Sequence, residues 1–153
     1  MFWLFTVVKF LHILLAIVAI GFNATYAIWI QRAERQPEHL DFALRGVKIL
    51  DDYVANPAYL LLLVTGLSMV FLAKYNLLET FWLLAALILY LIAIGLGYGA
   101  YTPTLRRQIQ TLAAEGVQSQ AYQSLSLRGT IIGSTLGVLV LLILGLMVLR
   151  PTF

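Results

Sequence analysis

Four long apolar stretches, separated by charged or polar segments, dominate the pattern along this chain. Each is about as long as the 20 residues that a helix needs to cross a bilayer. None alternates apolar and polar positions with the period of two that a membrane β-barrel requires. Because lipid offers no partner for backbone amides, spanning helices are the remaining solution. The pattern therefore predicts an all-α, polytopic membrane protein, a bundle of four transmembrane helices over residues 3–30, 54–73, 80–101 and 130–149.

The segments between these stretches differ in length. Residues 31–53 are charged and residues 102–129 are polar, whereas residues 74–79 form a short turn. One face of the first long loop is apolar, which is typical of a short helix lying at the membrane surface. That face carries Leu40, Leu44 and Val47. We therefore expect short interfacial helices in the two long loops.

Two Xaa-Pro pairs mark expected helix starts. Asn56-Pro57 lies near the start of the second apolar stretch, where Asn suits an N-cap and Pro suits the first helical position. Thr102-Pro103 is placed to do the same for a helix in the second long loop. No repeat or linker divides the chain, so we expect one membrane domain over residues 1–153.

Basic residues are unevenly shared between the two sides that this topology defines. The side with the long loops has seven: Arg32, Arg35, Arg45, Lys48, Arg106, Arg107 and Arg128. The other side has three: Lys9, Lys74 and Arg150. The positive-inside rule then predicts an inner (cytoplasmic) membrane protein, with loops 31–53 and 102–129 in the cytoplasm and both termini outside.

Composition supports the membrane assignment and narrows the chemistry. Hydrophobic residues make up 61% of the 153 residues and charged residues 11%, against about 25% charged in an ordinary soluble domain. The absence of cysteine excludes disulfides, thiolate metal sites and covalent c-type haem attachment. A net charge of +3 gives no reason to expect a nucleic-acid partner, so the expected surroundings are the lipid bilayer and other membrane proteins.

Glycines recur at four-residue spacing in the last two apolar stretches. Glycines four apart share one helix face and let another helix backbone come close. This pattern predicts helix packing within the bundle, and a homo-oligomer or a partner-subunit contact stays open as the alternative. The residues concerned are Gly95, Gly99, Gly129, Gly133 and Gly137.

A histidine lies within the first apolar stretch, on a stripe of small and polar residues. The stripe is formed by His12, Ala16, Ala19, Asn23 and Tyr26, which fall within about 40° around a helix. An ionisable group at membrane depth is a functional hypothesis by default. The alternative, a neutral histidine hydrogen-bonded to a hydroxyl or a carbonyl, stays open.

Helix geometry places His12 about 8 Å from the membrane centre and Met69 at a similar depth. An imidazole and a thioether at one level, among small residues, are compatible with the axial ligands of a haem. Lys9, one turn outward, is placed to pair with a haem propionate.

Other chemistries have little support in the sequence. None of the four stretches contains Asp or Glu, which a proton- or cation-coupled transporter usually needs. Walker, dinucleotide-binding and His-x-x-x-His motifs are also missing. One intramembrane histidine cannot build a zinc site alone, so no metal is expected other than a haem iron bound through His12.

Three short motifs resemble a group of bacterial membrane proteins. The group comprises HemJ-type protoporphyrinogen oxidases, CopD-like copper-resistance membrane domains and a domain-of-unknown-function family of predicted integral membrane proteins. The motifs are Lys9-Phe10-Leu11-His12 with Gly21; Asn56-Pro57-Ala58 with Thr65-Gly66-Leu67; and Arg128 before the last span with Arg150-Pro151 after it. The resemblance implies a helical membrane bundle and, as in HemJ-type proteins, a haem b bound through His12.

The resemblance does not carry the oxidase activity with it. HemJ-type proteins have a His and a Lys early in the third helix, where this chain reads Thr80-Phe81-Trp82-Leu83-Leu84. Two hypotheses follow. One is a small membrane protein that binds haem b in an electron-transfer or porphyrin-related role. The other is a cofactor-free accessory subunit that packs through its glycine faces.

Overall fold

The computed structural model describes residues 2–151, and helices account for nearly all of them. Six α-helices follow one another as α1 Phe2–Glu34, α2 Leu40–Leu50, α3 Asn56–Ala73, α4 Phe81–Leu96, α5 Thr102–Glu115 and α6 Gln120–Leu149. A 3₁₀ turn, Pro37–His39, precedes α2, and two π-helical turns, Asp51–Ala55 and Gly97–Tyr101, join α2 to α3 and α4 to α5. No strand occurs in this part of the chain.

Four continuous helical rods are long and apolar enough to cross a membrane. They are Phe2–Glu34, Pro37–Ala73, Phe81–Glu115 and Gln120–Leu149. The predicted four-helix membrane bundle is therefore confirmed. With 30 to 37 residues each, the rods are about 45–55 Å long, against about 30 Å for the hydrocarbon core of a bilayer. Each rod is thus longer than the membrane interior.

The helical parts of the long loops continue the spanning helices instead of restarting them. The Asn56 N–H bonds to the carbonyl of Asp51 and the Thr102 N–H to that of Gly97, which is the i→i−5 pattern of a π-turn. A proline follows each turn, at Pro57 and Pro103. Proline removes one N–H and crowds the carbonyl four residues earlier. The wider turn accommodates this disruption without ending the helix, so Asn56 is not the N-cap that the sequence predicts.

Local signals explain where the other helices end. Gly116, at φ +81°, follows α5 in a conformation that disfavours residues with a side chain. Ser119 then caps α6, since its hydroxyl oxygen accepts a hydrogen bond from the Tyr122 N–H at 3.1 Å. Lys74 and Arg150 end α3 and α6 in the left-handed region, at φ 56° and 46°.

Because successive rods run in opposite directions, the helices of the two long loops lie at one end of the bundle, and Phe2 and Arg150 lie at the other. We call the end that carries α2 and α5 the loop end, and the end that carries Phe2, the turn 74–80 and Arg150 the terminal end. Along the bundle α1 packs on α3 and α4 packs on α6, while α2 and α5 join the two pairs at the loop end. Tyrosines bridge α3 and α4: the Tyr90 hydroxyl donates to the Tyr59 carbonyl at 2.5 Å.

Buried apolar residues concentrate at the loop end. The loop-end core consists of Tyr26, Ala33, Leu40, Leu44, Val47, Leu105 and Tyr122. A smaller cluster between α1 and α3 consists of Ala19, Ala58 and Leu62. Much of the remaining helix surface is exposed and apolar, as at Phe10, Ile17 and Leu141. Such a surface suits lipid, where apolar residues gain little by turning inward.

The glycines that the sequence singles out have different surroundings within the chain. A Cβ atom added at Gly129 would lie 3.4 Å from the Gln108 amide, and one at Gly133 would lie 3.6 Å from the Tyr101 ring. At Gly95, Gly99 and Gly137 nothing lies within 4 Å of that position. Helix packing through this set stays a prediction, and the open glycines offer no contact within one copy of the chain.

Candidate functional site

His12 lies on the face of α1 that meets α3. Its Nδ1 atom is 2.9 Å from the Thr65 hydroxyl oxygen. The ring also rests against Gly66, where an added Cβ would come to 3.2 Å from the His12 Cε1 atom. That distance is shorter than most Cβ contacts, so glycine gives the imidazole its place between the two helices. Thr65 thus hydrogen-bonds to the imidazole, and the neighbouring Gly66 leaves space for it.

The hydrogen bonds of Thr65 assign the proton on the imidazole. The Thr65 hydroxyl lies 2.8 Å from the Leu61 carbonyl oxygen and 3.1 Å from that of Leu62, and carbonyls only accept. The single hydroxyl proton is therefore used within α3. The contact with His12 is then a bond that the Nδ1–H donates to the Thr65 oxygen, and Nε2 keeps its lone pair.

Beyond Thr65, the imidazole has one further hydrogen-bond contact, to the backbone carbonyl of Leu62, and no side chain in residues 2–151 bonds to Nε2. A neutral imidazole with Nδ1–H held by an oxygen and Nε2 free is the state in which histidine binds a metal. Clusters of three or more His, Asp or Glu side chains that could hold an ion are absent from the same residues. Among these residues His12 would therefore offer a metal or cofactor a single nitrogen ligand.

A second polar contact joins the same two helices closer to the loop end. The Asn23 amide donates to the Tyr59 hydroxyl at 2.6 Å and to the carbonyl of Ala19 at 3.0 Å. Between this contact and His12 lies the apolar cluster of Ala19, Ala58 and Leu62, with Leu15 and Ala16 packed against it. The predicted stripe of small and polar residues on α1 thus faces α3, and its two polar contacts are separated by an apolar layer.

The other predicted cofactor residues are not drawn into the contact at His12. Met69 lies one helical turn beyond Thr65 on α3, about 6 Å towards the terminal end, and it is half-buried. Lys9 lies one turn from His12 towards the N-terminus of α1, with its side chain exposed. The structure thus brings His12 together with Thr65 and Gly66, and leaves Lys9 and Met69 at neighbouring levels.

A buried carboxylate lies where the two π-turns meet, in a segment that the sequence predicts as a charged loop. Asp51 is 4% exposed. Its Oδ2 atom accepts a hydrogen bond from the Thr102 hydroxyl at 2.9 Å and a longer one from the Asn56 amide at 3.4 Å. Beside it, Lys48 is ion-paired with Asp52 and is itself 9% exposed. The i, i+4 spacing of Lys48 and Asp52 was visible in the sequence, but the contact with Thr102 depends on tertiary structure.

Burial is the main influence on the Asp51 carboxyl, which precedes the apolar stretch 54–73. It raises the pKa of Asp51 above the ordinary range of an aspartate. The Thr102 hydrogen bond and the positive charge of Lys48 oppose the shift, since both favour the ionised form. Asp52 adds to the shift through like-charge repulsion. The net result is a carboxyl that holds its proton more tightly than an exposed aspartate does.

Comparison with known proteins gives one match. A family model described as "Predicted integral membrane protein (DUF2269)" matches residues 6–151. No curated protein and no solved structure matches the chain. The matched region contains all four spanning rods apart from the first residues of α1, together with His12, Thr65 and Asp51.

Proposed function

This chain belongs to the DUF2269 family of predicted integral membrane proteins, and we propose that it binds haem b through the Nε2 atom of His12. The carrying observation is the 2.9 Å bond between the His12 Nδ1–H and the Thr65 hydroxyl, which leaves Nε2 as a free neutral nitrogen. Bound there, haem b would supply reversible one-electron chemistry at its iron. The expected role is electron transfer or a porphyrin-related reaction in the membrane.

Residues of α1 and α3 support this role in different ways. Thr65 is a positioning residue, because it fixes the tautomer and the ring orientation of His12 without itself reaching a ligand. Gly66 leaves room for the ring. Met69 is the candidate for an opposite axial ligand, and Lys9 the candidate partner for a propionate. The resemblance of the first two spans to HemJ-type proteins, which implies a haem b bound through the first-helix histidine, supports the same interpretation.

The cellular setting is part of the proposal. Seven of the ten Lys and Arg residues lie in the long loops, which favours a cytoplasmic loop end in the inner membrane and both termini outside. His12 then lies on the outer side of the bilayer centre.

An absorption spectrum tests the haem proposal directly. The protein is expressed with ample haem, purified in detergent and compared with His12→Ala, Met69→Leu and His39→Ala. His39 is the matched control, since it is the other histidine of the chain and is exposed in the 3₁₀ turn. We expect a Soret band in the parent and in His39→Ala, its loss or a strong shift in His12→Ala, and an altered spectrum with haem retained in Met69→Leu.

Two results would contradict the proposal. A colourless parent protein, expressed with haem and correctly folded, would show that the chain binds no haem. A haem-loaded His12→Ala variant with the parent spectrum would show that His12 is not the haem ligand. An unaltered Met69→Leu spectrum would remove Met69 alone and leave an open site, or a histidine from a second copy, opposite His12.

A cofactor-free accessory subunit is the second candidate, favoured by the glycines with open space beside them. Gly95, Gly99 and Gly137 meet nothing within 4 Å of an added Cβ, so these backbones are free to approach another helix. The occupant would be a second copy or a membrane partner. A colourless, folded protein that purifies as an oligomer, and becomes monomeric on Gly137→Leu, would support this candidate over the first.

A further inference from the structure

A groove runs along one flank of α6 at the loop end and has no part in the haem proposal. α6 packs there on the rod Phe81–Glu115, whose π-turn Gly97–Tyr101 has only small residues apart from its tyrosines. The two elements leave an open space of about 420 Å³ between them. The lining residues are Ala100, Ser124, Leu127, Arg128, Ile131 and Ile132.

The groove is polar at one end and apolar at the other. Residues four apart are neighbours on a helix, so Ser124, Arg128 and Ile132 form one row on α6. Leu127 and Ile131 form a second row beside it. Arg128 lies just before the last apolar stretch, and the two isoleucines lie about one turn deeper, within it. The groove therefore crosses the boundary between the lipid headgroups and the hydrocarbon.

The guanidinium of Arg128 has no counter-charge within the described part of the chain. It is exposed and makes no ion pair or hydrogen bond with residues 2–151. At the same end of the bundle, Asp41 pairs with Arg45 and Asp52 pairs with Lys48, so these carboxylates have cations of their own. An unpaired arginine at the height of the headgroups favours an anionic ligand from outside the chain.

A phospholipid has the same order of polarity as the groove. Its phosphate can accept two parallel hydrogen bonds from one guanidinium, and an acyl chain can lie along the apolar rows below. Basic pockets between transmembrane helices are typical sites for anionic headgroups. A zwitterionic lipid carries its own cation next to the phosphate, so it gains less from the arginine. A water-soluble phosphate ester gains nothing from the apolar half of the groove.

We propose that this groove binds an anionic phospholipid, with the phosphate at Arg128 and an acyl chain along Ile131 and Ile132. The bound lipid would contact both α6 and the π-turn Gly97–Tyr101, and would therefore stabilise the folded bundle at the loop end. His12 lies in the other pair of helices, between α1 and α3, so the lipid site requires neither this residue nor haem.

Native mass spectrometry of the haem-free protein in detergent tests this proposal. The protein is titrated with dioleoylphosphatidylglycerol or with dioleoylphosphatidylcholine, which have the same acyl chains and differ in headgroup charge. We expect the parent to bind one phosphatidylglycerol about tenfold more tightly than phosphatidylcholine, as one charge-assisted pair would give. Arg128→Gln should lose this preference. Arg107→Gln is the matched control, because that arginine is exposed at the same end and does not line the groove.

Competition with glycerol phosphate separates a lipid site from a site for a soluble phosphate. This compound has the phosphate without an acyl chain, so it should not displace the bound lipid at an equal concentration. The proposal is overturned if the parent does not prefer phosphatidylglycerol, if Arg128→Gln keeps the preference, if Arg107→Gln loses it equally, or if glycerol phosphate displaces the lipid. Because the protein carries no haem in this experiment, its outcome is independent of the haem proposal.

Discussion

The Nδ1 atom of His12 on α1 lies 2.9 Å from the hydroxyl oxygen of Thr65 on α3. This bond joins two antiparallel spanning helices and at the same time selects which imidazole nitrogen is free. Because the Thr65 proton is used by carbonyls of its own helix, the direction of the bond follows from the backbone of α3. A structural contact thus sets the chemical state of the candidate ligand.

Replacement of Thr65 by Val should destabilise the protein and disturb any cofactor at His12. The variant keeps the side-chain shape but takes the hydroxyl acceptor away from the imidazole N–H, at a cost of about 1–3 kcal/mol. Thermal unfolding in detergent measures the loss, and Thr65→Ser should restore most of it. Ser68→Ala is the control, because that hydroxyl bonds only to its own helix at Val64. Equal effects of Thr65→Val and Ser68→Ala would contradict the contact with His12.

Gly66→Ala should shift the His12 ring, because the new Cβ would lie 3.2 Å from its Cε1 atom. We expect a loss of about 1 kcal/mol in unfolding free energy, at the low end for an overpacked site. If haem is bound, the position of its Soret band should also change. Gly21→Ala is a matched control on α1, since nothing lies within 4 Å of its Cβ position. If the Gly66→Ala protein is as stable as the control, the His12 ring does not lie against Gly66.

The two glycines of α6 should respond differently to a large side chain. Gly133→Leu meets the Tyr101 ring and should lower the thermal midpoint of the single chain. Gly137→Leu meets open space within the chain, so it should spare the monomer and affect an oligomer if one forms there. Thermal unfolding combined with size analysis in detergent separates the two effects. Parent-like stability of Gly133→Leu would argue against a packing role.

Acidification should stabilise the protein through Asp51. Its pKa is raised in the folded state, so the folded protein binds the proton more tightly than the unfolded chain does. This contribution is complete below the ordinary aspartate pKa and is lost as the pH rises through the raised value. Asp51→Asn should therefore have a higher thermal midpoint than the parent at neutral pH, and the gap should close in acid. A gap that widens in acid would reverse the sign of the shift.

Single cysteines in this cysteine-free chain test the orientation of the bundle. Gln118, at the loop end, and Glu79, in the turn at the terminal end, are both exposed. A membrane-impermeant thiol reagent applied to intact cells should label Glu79→Cys and not Gln118→Cys. Labelling after lysis confirms that both thiols react. The opposite pattern would place the loops outside.

The sequence by itself determined the class of fold and the interior histidine. Four apolar stretches with few charges have one stable solution in lipid, since only a helix satisfies its own backbone there. The stripe from His12 to Tyr26 also predicted which face of α1 turns inward, as the contacts of His12 and Asn23 with α3 confirm. Both properties depend only on one helix and the lipid around it, so the pattern of residues along the sequence is enough to predict them.

Tertiary structure decided what these side chains meet. The partner of His12 is 53 residues away, and Thr102 is 51 residues from Asp51. The periodicity of a single helix therefore cannot predict either contact. The prolines at 57 and 103 indicated helix starts, yet each rod continues through a π-turn, whose wider hydrogen-bond spacing accommodates the proline without ending the helix. That continuity turns Asp51 from a loop residue into a buried one. Its burial depends on the packing of α2 and α5, which only the folded chain brings together.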